Sequence, residues 1–454
     1  MSKWYEEAIF YHIYPLGLLG APERRQDQGE ETVHRLRDLD AWVDHMKDLG
    51  FTATYIGPLF ESTSHGYDTK DYRRVDSRLG DNEDFRHFVE KCHENGIRGV
   101  VDGVFNHTGR EFFAFQDLQR NRENSPYRYW YQDVNFGGNS PFNDGFWYRA
   151  WHNCYELANL NLGNPEVRNY LLDVVRFWID EFDIDGIRLD CADCLSFDFM
   201  RELRSATAEK KEDFWLMGEV IHGDYARWVK PEYLHSVTNY ELWKGLYSGH
   251  NDHNYFEIAH TIRRQFDANG GIYRGCRLYS FVDNHDVDRI VNTLKEKKFL
   301  RSVYTLLYTL PGIPSVYYGS EFGVEGKKEW GGDQHLRPAL DLEKLSAEPP
   351  VPELPELIRR LARVHAEERA LTDGAYRELL LTNRQYAFAR ILGDEAVIAA
   401  VNNDDTEARF EIPCPVPGTE AVEVFTEKAL KTENGKIIWE MPAYGSAIFI
   451  VKQG

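Results

Sequence analysis

Across the first 370 or so residues, short apolar runs alternate with longer amphipathic stretches, and this alternation restricts the chain to parallel α/β architectures. The runs are Ala8–Pro15, Ala53–Pro58, Arg98–Phe105, Gly186–Asp190, Phe214–Val220, Ser236–Tyr240, Arg277–Asn284 and Pro314–Tyr318. Their near-continuous apolar character is that of strands covered on both faces. Eight such strands predict a closed (β/α)8 TIM barrel rather than an open sheet.

The clearest helix start follows Asn164-Pro165-Glu166, where a capping Asn, a Pro at the first helical position and an acidic first turn coincide. Val167, Leu171, Val174, Val175, Trp178 and Phe182 then recur at helical spacing and predict a core-facing stripe. Between the third strand and this helix, Thr108 to Leu160 is too long for an ordinary connection and rich in Asn, Gly and aromatics. It is expected to form a small subdomain over the barrel mouth. After a last helix near Leu354–Glu368, the segments Tyr386–Ile391, Ala396–Val401, Ala421–Val424 and Ser446–Val451 read as strands of a β-sandwich. The expected organisation is a barrel in two parts, 1–107 and 161–372, an insert at 108–160, and a C-terminal sandwich at 373–454.

Composition narrows the function classes. A formal net charge of −21 with no concentrated basic face argues against nucleic-acid binding. No apolar run approaches the ~20 residues that cross a bilayer, so no membrane association is expected. The first residues lack the pattern of a secretory signal, and six cysteines in 454 residues make no dense disulfide framework. Both features predict a cytoplasmic protein. Cys191-x-x-Cys194 is a single CxxC without a second pair, and reads as two small residues at a packed strand-to-helix junction.

Barrel enzymes carry their chemistry at the C-terminal ends of the strands. Those ends hold Asp102, Asn106 and His107 after the third strand, and Arg188 with Asp190 on the fourth. Glu219 ends the fifth, and His285 with Asp286 the seventh. Any single one of these acids would pass for a solvated loop residue; their joint occurrence on corresponding strand ends would not. Arg188 lies two residues before Asp190 and so shares its face, where it would keep Asp190 ionised. Glu219 follows Trp215-Leu-Met217, an apolar run that would desolvate it and raise its pKa toward general-acid use. One ionised and one protonated carboxyl is the requirement of glycoside cleavage.

With these residues in view, the chain resembles the α-amylase superfamily of glycoside hydrolases. Asp102-Gly-Val-Phe-Asn-His107, Gly186-Ile-Arg-Leu-Asp190, Gly218-Glu219-Val220 and Phe281-Val-Asp-Asn-His-Asp286 look like its four signatures. Ser64-His-Gly-Tyr-Asp68, Leu157-Ala-Asn-Leu-Asn161 and Gly312-Ile-Pro-Ser-Val-Tyr-Tyr-Gly319 are similar to auxiliary segments, all in the family's order. The resemblance implies Asp190 as nucleophile, Glu219 as acid/base and Asp286 as the supporting carboxylate. It further implies sugar contacts from Arg188, His107 and His285, stacking by Tyr67, a place for Asp102 among the substrate-binding residues, and a sugar-binding pair Asp333 and Arg337. Within the superfamily, Asn164 to Asp190 and Glu219-Val-Ile-His222 look closest to neopullulanases, cyclomaltodextrinases and maltogenic amylases.

Three departures stand out. The first strand begins within ten residues of Met1, so the extra N-terminal β-domain of these relatives is expected to be absent. Asp193 and Cys194 replace the Asn-Glu common in the subgroup, and Ile221 replaces an aromatic. Asn106 matches a calcium-binding residue of many amylases, but no set of oxygen ligands can be assembled around it; no cofactor is required and no metal ligand is assigned. The expected partner is an α-glucan oligosaccharide, acted on by a monomer or homodimer. The expected activity is hydrolysis of α-1,4 bonds, with α-1,6 as a second linkage, in short malto-oligosaccharides, maltodextrins or cyclodextrins. A transglycosylase or phosphorylase with the same triad is the enzymatic alternative. A non-catalytic sugar-binding homologue is the other, disfavoured because all three carboxylates are present.

Overall fold

The computed structural model describes residues 3–25, 31–416 and 420–452. Eight strands form its centre: β1 (Phe10–Ile13), β2 (Ala53–Ile56), β3 (Arg98–Gly103), β4 (Gly186–Leu189), β5 (Trp215–Gly218), β6 (Ser236–Val237), β7 (Tyr279–Phe281) and β8 (Ile313–Tyr317). They pair in the order β6-β5-β4-β3-β2-β1-β8-β7, every pair parallel. The two edges meet where Thr238 bridges Tyr279 and the Asn239 N–H donates to the Tyr279 carbonyl at 2.8 Å. The eight apolar runs are thus the eight barrel staves. Most are shorter than their apolar run, because the last residues of each run leave the ladder and turn toward the mouth.

Side-chain alternation explains what fills the barrel. Phe10, Ala53, Val100, Trp215, Met217, Tyr279, Phe281 and Ile313 make an inner cluster, with Phe10 stacked on Trp215 at 4.8 Å. The intervening Tyr11, Ile13, Ile56, Val101, Ile187, Leu189 and Leu216 belong to the outer core under the helices. Two residues above the apolar plug, the same inward columns carry His12, Asp102, Arg188 and Glu219. The polar mouth is therefore a continuation of the same period-two pattern.

The helix Pro165–Phe182 starts as its sequence dictates, with the Asn164 side chain accepting from the Glu166 N–H at 2.9 Å. Its stripe is buried, and Trp178 is the anchor: the ring stacks on Phe60 at 4.2 Å and Nε1 donates to the Tyr72 carbonyl at 2.7 Å. Between β3 and this helix the chain builds the helix Phe113–Asn121 and a three-stranded sheet of His107–Gly109, Cys154–Asn159 and Ala150–Trp151. Arg110 cross-links this excursion through Asp144 at 2.7 Å and the Tyr148 hydroxyl at 2.7 Å.

Beyond the helix Leu354–Glu367 the chain turns to antiparallel structure. The strands are β9 (Ala375–Leu381), β10 (Gln385–Leu392), β11 (Glu395–Asn402), β12 (Ala408–Pro413), β13 (Glu420–Glu423), β14 (Lys428–Lys431), β15 (Lys436–Met441) and β16 (Ser446–Val451). Six pair as β9-β10-β11-β16-β13-β14, and β12 with β15 forms the second layer over a core of Ile398, Phe410, Ile412, Ile437 and Phe449. Four of these strands, β9, β12, β14 and β15, escaped the sequence reading. They carry charged residues at half-solvated positions, as in Arg377-Glu378 and the cross-strand pairs Glu420 with Lys431 and Glu423 with Lys428, so their apolar alternation is weak. The other face of the large sheet packs Tyr386, Phe388, Val397, Val401 and Ile448 into the barrel's outer core. Trp178→Ala removes both the stacked ring and the Tyr72 contact, and is expected to cost roughly 3–5 kcal/mol in urea denaturation.

Candidate active site

Arg188 organises the mouth. It is 3% exposed, and its Nη1 donates to Asp102 Oδ1 at 2.9 Å and Asp190 Oδ1 at 2.8 Å, while Nη2 meets Glu219 Oε2 at 2.9 Å. One fixed cation thus faces three buried carboxyl groups drawn from β3, β4 and β5. A single positive charge cannot hold three carboxylates ionised in a dehydrated site, so a proton is retained. Burial pushes the Glu219 carboxyl up to about 8; Arg188 opposes that rise, and the neighbouring Asp190 and Asp286 add to it. Burial likewise raises Asp102 against the pull of Arg188. Tyr55 completes the Asp102 environment by donating from its hydroxyl at 2.8 Å. β2 must pass close here: a Cβ on Gly57 would lie 2.4 Å from that of Asp102.

The third carboxylate is treated in the opposite way. Burial by itself would raise Asp286, but the charge and hydrogen bond of His285, then Arg337 and Arg188, outweigh it and hold the carboxyl well below its usual range. The contacts are His285 Nε2 at 3.1 Å from Oδ2 and Arg337 Nη2 at 2.9 Å from Oδ1. Arg337 also donates from Nε to the His285 carbonyl at 3.0 Å and from Nη2 to Asp333 Oδ2 at 3.2 Å. With its side chain only 11% exposed, Arg337 is a buried bracket for Asp286 rather than half of a surface i,i+4 pair; Asp333 is the more exposed member. Tyr67 stands over this corner, its hydroxyl 2.5 Å from His285 Nε2 and its ring stacked on the imidazole at 5.7 Å. His107 is buried in the first strand of the insert, and burial followed by the influence of His65 lowers it to about 4.

The structure therefore gathers Asp102, Arg188, Asp190 and Glu219 into one bonded group and Tyr67, His285, Asp286, Arg337 and Asp333 into a second, close enough for the charge of Asp286 to act on Glu219. His107 lies beside them at the junction with the insert. Sequence reasoning missed Tyr55, Tyr14, Tyr240 and Cys191. Tyr14 lies 3.4 Å from Arg337 Nη1, and Tyr240 accepts from Asn284 at 3.1 Å. These hydroxyls belong to strands and helices read as core, and only the closing of the barrel turns them inward. The cysteine reading needs correction as well. Cys194 is exposed, and Cys191 is not packing filler: its N–H donates to Glu219 Oε2 at 3.1 Å and its thiol lies 3.2 Å from Asp190 Oδ2. Asn106 points its side-chain amide at His107 Nδ1, 3.2 Å away, and its main-chain carbonyl accepts from the Leu160 N–H at 2.9 Å.

A (β/α)8 barrel with this carboxylate arrangement at its mouth defines the glycoside hydrolase class. Residues 22–350 match the family described as alpha amylase, catalytic domain, and residues 376–448 the maltogenic amylase C-terminal domain. The chain belongs to the alpha-amylase family and is a glycoside hydrolase. It is 29% identical over 476 residues to a cyclomaltodextrinase of Geobacillus thermopakistaniensis, covering 99% of this chain and 78% of that one. Neopullulanase 2 of Thermoactinomyces vulgaris is 30% identical over 443 residues, covering 92% and 72%. Among solved structures, cyclic alpha-maltosyl-(1→6)-maltose hydrolase from Arthrobacter globiformis superposes with a TM-score of 0.83 at 28% identity, covering 99% of both chains.

The Glu219 environment generates a test with a definite sign. A carboxyl raised from 4.5 in the unfolded chain to about 8 when folded makes the native state bind the extra proton, so stability falls as pH rises through that window. Glu219→Gln is expected to raise the melting temperature relative to the parent at pH values above about 8 and to make little difference below about 4.5, as read by differential scanning calorimetry.

Proposed function

We propose that Asp190, Glu219 and Asp286 cleave α-1,4 bonds, and α-1,6 bonds as a second linkage, in short or cyclic maltodextrins by double displacement. The observation that carries this reading is the pairing of Asp190 and Glu219 on one guanidinium, with carboxylate oxygens within 4.8 Å of each other. Carboxyl groups this near each other fit the shorter separation of a retaining pair and suit a nucleophile attacking directly.

In the first step Asp190 attacks the anomeric carbon, the glycosidic C–O bond breaks, and the Glu219 proton passes to the leaving oxygen. In the second, Glu219 as carboxylate takes a proton from water, which displaces Asp190 and restores the α configuration. Asp286, kept ionised by His285 and Arg337, would accept hydroxyl hydrogen bonds of the distorted sugar. Tyr67 and His285 would form the wall it stacks on. Arg188, with both terminal nitrogens on carboxylates, would act through their charge and position rather than by grasping sugar. This chemistry calls on no cofactor. The names of the relatives support maltodextrins as the substrate class, and Ile221, 44% exposed just after Glu219, would present an aliphatic rather than aromatic surface to the leaving chain.

Cytoplasmic residence is supported by six free cysteines and by similarity to an intracellular maltogenic amylase of Bacillus subtilis. No helix among the described residues is long and apolar enough to cross a membrane.

The test is the early product profile from maltoheptaose, resolved by chain length. Maltose or mixed short chains are expected; glucose as sole early product would replace the reading with a chain-end α-glucosidase, and products longer than the substrate would favour the transglycosylase. Asp190→Asn and Glu219→Gln should each lower kcat at least about a thousandfold with the circular dichroism spectrum unchanged, and full turnover by either would reject the assigned roles. The parent's activity should fall as pH rises through about 8, as Glu219 loses its proton.

A further inference from the structure

The two oxygens of Asp190 are held unequally. Oδ1 accepts a charge-assisted bond from Arg188 Nη1 at 2.8 Å, whereas Oδ2 has the Cys191 sulfur at 3.2 Å as its hydrogen-bond partner. Cys191 reaches this place because its backbone is left-handed, at φ 46° and ψ 46°, which swings the chain out of β4 directly after Asp190. The same conformation aims its N–H at Glu219 Oε2, 3.1 Å away. One residue therefore touches both carboxyls of the cleavage pair. Burial and then the charges of Asp190 and Glu219 push the thiol far above its ordinary pKa, so the sulfur keeps its hydrogen and acts only as a donor.

We propose that Cys191 is a positioning residue that designates Oδ2 of Asp190 as the attacking oxygen, by holding it with a donor too weak to quench its nucleophilicity. This rests on Asp190 being the nucleophile. An oxygen that must form a bond to carbon has to surrender whatever hydrogen bond it accepts. A guanidinium or hydroxyl bond to a carboxylate is strong and would be lost at a cost in the transition state, whereas an S–H bond is weak and easily lost. In the step itself the Oδ2–C bond forms, the glycosidic C–O bond breaks, and the proton reaching the leaving oxygen comes from Glu219. The thiol proton stays on sulfur throughout. Oδ1 keeps its Arg188 bond and becomes the carbonyl oxygen of the glycosyl ester.

The order of two substitutions separates this role from packing. A serine is the closest replacement in shape but places a strong O–H donor on Oδ2; an alanine removes the donor and part of the volume. The proposal expects Cys191→Ser to lower kcat about tenfold and Cys191→Ala about threefold, with KM within about twofold for both. A merely structural cysteine would give the reverse order, and Ser equal to or better than Ala overturns the proposal. The attack step is read separately as the rate at which a slowly turned-over fluorinated glycosyl fluoride adds its mass to the parent, the Ser and the Ala enzymes. An unlabelled, inactive parent would defeat the nucleophile assignment and this proposal with it. A parent labelled on Asp190 together with an unslowed Ser variant would defeat the thiol's role alone. Independent of turnover, the S–H stretching band obtained by subtracting the Cys191→Ala infrared spectrum should move to higher frequency in Asp190→Asn, and a band that stays in place also overturns the proposal.

Discussion

A single guanidinium, that of Arg188, ties β3, β4 and β5 together at the barrel mouth through Asp102, Asp190 and Glu219. Burying four ionisable groups is costly unless their geometry is tight, and an unpaired member would be costlier still. The barrel supplies that tightness. Asp102 is the register partner of Arg188 on the neighbouring β3, and Met217, two residues before Glu219, is its partner on β5. A slip of one residue in either ladder would turn a carboxylate into the helix layer and leave the cation unmatched. The apolar plug of Phe10, Trp215, Met217 and their neighbours beneath the network fixes those registers by packing.

The mouth is electrically divided. On the Arg188 side, carboxyl groups outnumber cations and a proton is kept, which suits Glu219 for donating it. On the Asp286 side, His285 and Arg337 surround one acid, which stays ionised. The division follows from topology: Asp286 comes from the end of β7 and Arg337 from the segment after β8, whereas Asp102, Asp190 and Glu219 end β3, β4 and β5, with β6 between the two groups on one side and β1 and β2 on the other. Both groups face one opening because all the staves end there.

Outer elements support the mouth at a distance. The first strand of the insert's small sheet, His107–Gly109, pairs through His107 with Asn159 and starts a few residues after β3 ends at Gly103, which ties the insert closely to the mouth. The C-terminal sandwich presses on the helix Leu300–Thr309 before barrel-side contacts reach β8; Thr305 meets Ser446 at 2.9 Å, and Arg390 donates to the Thr309 carbonyl at 3.3 Å. It packs as a brace to the helix layer.

Much of this was legible along the chain. The staves showed as apolar runs because both faces of each strand are covered, and the Asn164 cap showed because its chemistry is local. The three carboxylates showed because each ends a recognisable run. Other features were invisible. The charged strands β9, β14 and β15 acquire their order only from neighbours, and Tyr55, Tyr14 and Tyr240 read as core. The resemblance offered Asp333 and Arg337 as a sugar-binding pair, and only the fold showed the arginine turned onto Asp286. Cys191 passed for a small packed residue until a left-handed turn set its thiol beside Asp190. Local patterning determined the barrel, its strand ends and the residues available there, since periodicity and capping act within a few residues. The apolar run before Glu219 hinted at its raised pKa, but only tertiary structure set Arg188 among three carboxyl groups and His285 and Arg337 around Asp286, because those charges come from strands far apart in sequence.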